Sequence, residues 1–416
     1  MKQPLLLWLL LSTTALPGQT PDTLQRATTQ PLDVSDLGRR WLGIRLVPGK
    51  DTGLTDKPQW AVLPSLNYQP ATGVAAGAVL TTSFYPRQTP RTRLSTAYLY
   101  GGYSQRNQVI VLAISNVWTR GHRFNLQGDW RFYNFPTTTY GLGNQTQLTD
   151  VSLLTYNHVR FYQTAYKAIG QDYMVGVGYL LDRYFGIRNT APNGQPGPIG
   201  PGGTATDFER YGGQSQTTSS GVSVGLLRDR RDNLNNPTGG SYLLLQYRHY
   251  DKWLGSSATY EALWLDYRRY VPLGGRLEKL LAFWSFNWVT LGKGVPYLDL
   301  PSTGWDTYNN SGRGYTLGRL RGPALFYAEA EYRTQLTANG LLGAVLFTNA
   351  QTVHNWLGDP LLSVEPNLAC SKKIWPGFGG GLRVKVNKNA RTNLAIDYGF
   401  GAGGSRGLYF NLNEVF

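Results

Sequence analysis

The sequence is poor in the residues that build covalent or metal chemistry. It has one cysteine, Cys370, and two methionines in 416 residues. A single cysteine excludes an intrachain disulfide framework. The four histidines, His122, His158, His249 and His354, fall in no HExxH or paired spacing, so no metal centre is expected. Beyond the first residues no apolar run reaches the ~18–20 residues of a transmembrane helix, and the mean hydropathy is negative. These absences exclude a helical membrane protein. They do not exclude a membrane β-barrel, whose signal per segment is weak.

Two stretches look chemical and are not. Gly221-Val222-Ser223-Val224-Gly225 spells G-x-S-x-G, but a hydrolase elbow needs a strand, a strained turn and then a helix. Here Leu226-Leu227 continue the strand. Asp229–Gly240 is dense in oxygen ligands, yet Arg231 and Leu234 interrupt the spacing a calcium loop requires. Asp, Asn, Pro and Gly in that order read as a tight turn. No catalytic residue and no cofactor is expected, and the chain does not read as an enzyme.

What is abundant is glycine (50), tyrosine (27), tryptophan (12) and positive charge, net +15. Lys2, the apolar stretch Pro4–Leu11 and the small residues that follow have the order of a secretory signal, assigned to residues 1–19. Export argues against a nucleic-acid partner for the basic charge. Lipid phosphates, a polar lumen or a plain solvated basic surface are the readings that remain. Residues 20–58 are polar, with Val34, Leu37, Trp41 and Ile44 at helical spacing, and form a short periplasmic segment.

From residue 59 to 416 the texture is uniform. Segments of roughly 10–15 residues alternate apolar and polar and are separated by Gly, Pro, Asn and Asp. Sixteen such segments are read, from 59–68 through 280–291 and 324–336 to 406–416. Each is long enough for the ~9–11 residues of a tilted membrane strand. Short turns on one side and long breaks on the other match barrel asymmetry. The fold class is all-β: a sixteen-stranded antiparallel transmembrane β-barrel spanning 59–416. In segment 324–336, Phe326, Ala328, Ala330, Tyr332 and Leu336 share one face, while Glu329, Glu331, Arg333 and Gln335 share the other, lumenal one. The last segment alternates Leu408, Phe410, Leu412 and Phe416, which resembles the terminal signal by which outer-membrane barrels are recognised for insertion. The long break 292–322 holds Gly312-Arg313-Gly314-Tyr315, where flanking glycines allow a tight tip that projects a fixed charge.

Several pieces together resemble one family. Leu226–Asn233 with Asn236–Tyr242, then Gly312–Tyr315, Ala330-Glu331-Tyr332-Arg333, Gly343–Thr352, Gly379–Gly399 and Tyr409–Phe416 resemble, in order, the bacterial surface antigen family. That is the barrel domain of the BamA/TamA superfamily. The resemblance implies a long loop before the twelfth strand that folds into the lumen. Its tip, Arg313, Gly314 and Tyr315, would latch onto acidic groups of the wall. Glu331 matches the first acidic position. Asn349 stands at the second, where an amide would accept a hydrogen bond in place of a charge, with Glu329 compensating.

The resemblance also implies a bacterial outer-membrane location and a lateral seam that inserts or passes client proteins. Outer-membrane lipids, client outer-membrane proteins and a periplasmic partner are the partners it implies. Too little chain precedes Trp60 for the periplasmic POTRA repeats usual in the family, so a barrel without them is expected. A passive pore or a scaffold subunit of an outer-membrane complex is the competing expectation.

Overall fold

The computed structural model describes residues 31–34, 36, 58–69, 73–84, 95–119, 121, 123–134, 136–170, 172–190, 206–211, 213–275, 278–355, 373–388 and 391–416. By its backbone contacts the chain divides at residue 30, and all described residues lie in the second unit, Pro31–Phe416. The signal segment, most of 20–58 and Cys370 lie outside the described residues. Of the four residues at helical spacing only Val34 is described, and it is helical.

The described residues form one antiparallel sheet. Its strands are β1 (Gln59–Gln69), β2 (Gly73–Phe84), β3 (Ser95–Ser104), β4 (Val109–Trp118), β5 (Phe124–Asn134) and β6 (Thr137–Thr139). Then come β7 (Ser152–Ala168), β8 (Tyr173–Thr190), β9 (Gln216–Asp229), β10 (Gly240–Tyr250), β11 (Tyr260–Pro272) and β12 (Lys279–Leu291). The set ends with β13 (Ala324–Gln335), β14 (Leu342–His354), β15 (Trp375–Asn387), β16 (Thr392–Gly401) and β17 (Arg406–Leu412). β6 has only 3 residues and pairs with β7 beyond the end of β5. Without it the strands number sixteen, so the strand read as the twelfth is β13.

Neighbours in sequence pair in space, and β1 pairs with both β2 and β17, which closes the barrel. Closure matters because lipid offers no hydrogen bonds to a free strand edge. Alternation sorts the side chains. In β13, Tyr327, Glu329, Glu331 and Arg333 are buried and Ala328 is exposed. On the outer face Trp130 stacks on Phe161 at 5.4 Å and Phe378 on Phe400 at 5.6 Å. Inside lie Arg131, His158, Asp182, Arg248, Asp266 and Arg268, all buried.

At one end of the barrel the structure departs from the sequence pattern. Alternation predicts a last strand that runs to residue 416, but β17 stops at Leu412. Asn413 takes a left-handed conformation (φ 72) and turns the tail off the strand. Phe416 therefore leaves the face it would share with Leu408, Phe410 and Leu412. It is 3% exposed, its ring 5.2 Å from Trp284 and 6.3 Å from Tyr270. Between β9 and β10 the chain makes the tight turn that its Asp, Asn, Pro and Gly predict. Asp232 accepts from Thr238 N (2.8 Å), Thr238 Oγ1 (2.6 Å) and Gly239 N (3.1 Å), which gives the turn a fixed shape. From there it reaches strands far round the sheet. Arg391, after β15, donates to Asp232 at 2.8 Å, and Glu414 N donates to Asn235 O at 3.2 Å. On the same side Leu32 N donates to Asn339 O (3.1 Å), and Lys388 Nζ donates to Asp36 at 2.9 Å.

Candidate functional site

The segment between β12 and β13, residues 292–323, is held at many points. Asp306 caps its own tip, accepting from Asn310 N at 2.9 Å and Ser311 N at 2.7 Å. Gly312 and Gly314 both have positive φ (81° and 98°), the conformation glycine tolerates without a Cβ clash. Between them Arg313 is 2% exposed. Its guanidinium donates to Glu329 and Glu331 on β13, and to Asp397 on β16 at 2.9 Å. It also lies 3.7 Å over the Phe347 ring. A guanidinium presents five donors in a planar fork, so several carboxylates can be met at once.

These contacts continue into a closed ring of charge. Arg383 bonds Asp397 at 2.5 Å and Glu414 at 2.8 Å. Arg333 bonds Glu331 at 2.5 Å and lies 3.9 Å from Glu414. Glu414, in the tail, has its carboxyl held down at about 2: burial pushes it up, and Arg383 and Arg333 outweigh that. Desolvating so many charges is tolerable only because each meets an opposite charge, and removing one partner of such a set costs about 3–5 kcal/mol.

The positions singled out from sequence are placed as follows. Arg313 and Glu331 are in contact. Asn349 is buried beside them but does not accept from the guanidinium. Its Nδ2 donates to the Arg313 backbone carbonyl at 2.9 Å, so it holds the backbone of the tip. The further charge contacts are Glu329 and Asp397. Gly314 N donates to the Tyr409 hydroxyl (3.0 Å), which in turn donates to Tyr315 O (2.9 Å). The Tyr315 hydroxyl donates to Pro376 O and accepts from Ala402 N at 2.8 Å.

The wall under the tip is built of glycine. A Cβ on Gly399 would lie 2.7 Å from Gly314 N, one on Gly377 2.9 Å from Arg313 O, and one on Gly401 2.6 Å from the Tyr315 ring. Sequence reasoning missed Asp397, Tyr409 and this glycine floor. The signal available was the inward parity of the glycines in β15 and β16.

The rest of the segment meets other elements. Arg319 donates to Thr146 Oγ1 (2.7 Å) and Thr146 O (2.6 Å), while Arg321 braces the segment itself by donating to Tyr297 O (2.9 Å). Arg131 on β5 donates to Thr307 O at 2.5 Å, and Ser219 on β9 donates to Asp299 at 2.6 Å. The segment thus touches the inward faces of strands on opposite parts of the sheet.

The third feature is the junction of first and last strands. Among the described residues β1 pairs with β2 along its whole length, Gln59 to Gln69, but with β17 only at Tyr68↔Phe410. There the two rings meet edge to face at 6.3 Å. Tyr409, whose hydroxyl bridges Gly314 and Tyr315, belongs to this same β17.

Comparison with solved structures places this architecture among known barrels. BamA from Haemophilus ducreyi lacking POTRA domains 1–3 aligns over 91% of this chain and 78% of that one, at 14% identity and a TM-score of 0.54. CdiB from Acinetobacter baumannii aligns over 86% of this chain at 12% identity and a TM-score of 0.51. CdiB from Escherichia coli aligns over 86% at 13% identity and a TM-score of 0.52. The chain spans 65% and 63% of the lengths of these two CdiB proteins. At such identities the likeness shows the fold. No curated protein matches the chain. The Omp85 superfamily domain matches residues 94–416. Barrels of that superfamily are non-enzymatic and reside in the outer membrane. The chain belongs to the Omp85 superfamily as a β-barrel of the bacterial outer membrane.

Proposed function

We propose that this barrel assists the insertion or translocation of outer-membrane or surface proteins through the seam between β1 and β17. The observation that carries the reading is the single residue pair at that junction, Tyr68↔Phe410, beside a β1 edge otherwise without a strand partner among the described residues. An unpaired edge is a template on which another strand can add by main-chain hydrogen bonds. The segment 292–323 is the lumen latch. Arg313, Gly314 and Tyr315 dock on Glu331, Glu329, Asp397 and Asn349, and Tyr409 links the docked tip to the seam strand. Leu408, Phe410 and Leu412 carry the barrel's own insertion signal on the outer face, with Phe416 acting through its buried anchor. Client outer-membrane proteins and outer-membrane lipids are the partners, with a periplasmic protein delivering the clients.

The test is a lock on the seam. Paired antiparallel residues lie close enough for a disulfide, so cysteines at Tyr68 and Phe410, with Cys370→Ser, should crosslink under oxidation. In cells that depend on this copy, the locked barrel is expected to lose particular surface proteins from the outer membrane, and reductant is expected to restore them. A locked barrel with an unchanged outer-membrane proteome overturns the seam mechanism. It would leave the passive pore, which planar-bilayer conductance without any client would then support.

A further inference from the structure

The barrel interior repeats one small unit. Asp129 and Arg131 bond at 2.5 Å, Asp229 and Arg231 at 2.7 Å, Asp266 and Arg268 at 2.7 Å, and Glu331 and Arg333 at 2.5 Å. Residues two apart share a face of a strand. An acid two positions before an arginine therefore neutralises it within its own strand. β10 has the same spacing on its inward face but breaks the chemistry, because Gln246 stands two positions before Arg248.

Arg248 is only 6% exposed. Its guanidinium lies over the Trp264 ring at 4.3 Å and near the Tyr162 ring at 5.4 Å. Its Nε donates to Gln246 Oε1 at 2.8 Å, and Gln246 Nε2 donates to Ser223 Oγ at 3.1 Å. Among the described residues no carboxylate pairs with it. The acid bonded to Tyr162, Asp182, is already engaged by Arg160 (2.8 Å) and His158 (2.7 Å). Stacking uses the flat faces of a guanidinium and Gln246 uses one edge. The Nη1–Nη2 edge is left over, and that edge matches two parallel oxygens. A buried cation without a counter-charge is costly, so an anion that reaches this edge gains more than it would in water.

We propose that Arg248, oriented by Gln246 and flanked by Trp264 and Tyr162, is a binding site for a small oxyanion, carboxylate or phosphate, inside the barrel. It is separate from Arg313, whose carboxylates come from the chain itself. The missing acid suggests the test, because Gln246→Glu would supply the internal partner that the other four arginines have.

The folded barrel in detergent is heated in sodium chloride, sodium acetate or inorganic phosphate at equal pH and ionic strength. Ligand that binds only the folded state raises the midpoint in a saturable way. The wild type is expected to show a saturable rise with acetate or phosphate over chloride. A response to acetate alone assigns the site to carboxylates, and a response to phosphate alone assigns it to phosphates. Q246E is expected to have a higher midpoint in chloride and at least a tenfold weaker anion response. R248Q should lose the response, and Q246E decides the matter should R248Q fail to fold. Absence of any saturable rise in the wild type overturns the proposal. An equal rise in wild type and Q246E also overturns it, since it would place the anion elsewhere.

Discussion

Asp299 shows how much one residue of the long segment depends on where it is held. Its carboxyl is pushed up to about 8 by burial first and by the nearby Asp182 second; Ser219, Arg160 and Arg321 act the other way. An unfolded chain would ionise it near the ordinary value of 3.8. The folded group stays neutral between 3.8 and about 8 while the unfolded group loses its proton. Its contribution to stability is therefore full below 3.8 and is lost as pH rises through about 8. The slope for one proton is about 1.4 kcal/mol per pH unit. Glu414 runs the opposite way: depressed to about 2 from 4.5, it contributes fully above 4.5 and fails only as pH falls through about 2. Between pH 5 and 9 Glu414 is silent and Asp299 is not. Denaturant unfolding of the wild-type barrel should weaken across that range, and Asp299→Asn should flatten the decline by up to that slope. Parallel curves for the two proteins would remove Asp299 from the account.

At the scale of elements, the tip of segment 292–323 and the strands β15 and β16 fit because both surfaces are glycine. A Cβ on Gly399 would sit 2.7 Å from Gly314 N and 3.0 Å from Gly314 Cα, both backbone atoms that cannot swing aside. Gly399→Ala should weaken docking of the tip by about 1–3 kcal/mol, the usual cost of overpacking. Gly101→Ala is the control, since a Cβ there meets nothing within 4 Å. Trypsin cleavage after Arg313, Arg319 and Arg321 reads the docking directly. It should accelerate in G399A and not in G101A, and equal rates would mean that the glycine floor does not hold the tip.

Much of this level was legible in advance. Period-two alternation located the long strands and put Glu331 on the inward face of β13, because hydrophobic contrast between lipid and lumen is strong there. Strand ends were less legible. β7 runs on to Ala168, because Ala165–Ala168 carry no glycine, proline, asparagine or aspartate to end it. The tail escapes the pattern for a different reason. Leu408, Phe410, Leu412 and Phe416 keep their period in sequence, but the positive φ at Asn413 turns the chain and sends Phe416 elsewhere. Asp397 lies 84 residues from Arg313, and no local pattern announces a contact at that separation. Asn349 was legible as a residue near Arg313, but its donor role depends on which atom faces the amide.

The whole molecule joins these parts through β17. Its pairing with β16 runs from Leu412 to Arg406, while its other edge meets β1 at one residue pair. Two attachments compensate for that thin edge. The tail beyond it is anchored by Glu414 on Arg383 and by Phe416 against Trp284 and Tyr270, and Asn310 donates to Val415 O at 2.8 Å. Tyr409 adds the second, taking Gly314 N and giving to Tyr315 O. Each attachment includes a hydrogen bond to segment 292–323, from Asn310 to Val415 O and from Gly314 N and to Tyr315 O through Tyr409, on a strand that β1 meets at only one residue pair. Tyr409→Phe removes one hydroxyl, and with it both hydrogen bonds, while leaving the ring in place. Each such bond contributes about 0.5–1.5 kcal/mol, enough to shift a weakly paired edge and too little to unfold a barrel. Spin labels on β1 and β17 should then show a broader and longer distance distribution across the seam in Y409F than in the wild type. The β-sheet signal in circular dichroism should be unchanged. A seam distribution identical to the wild type would mean that the tip and β17 move independently, and that the Tyr409 hydroxyl does not steady the junction with β1.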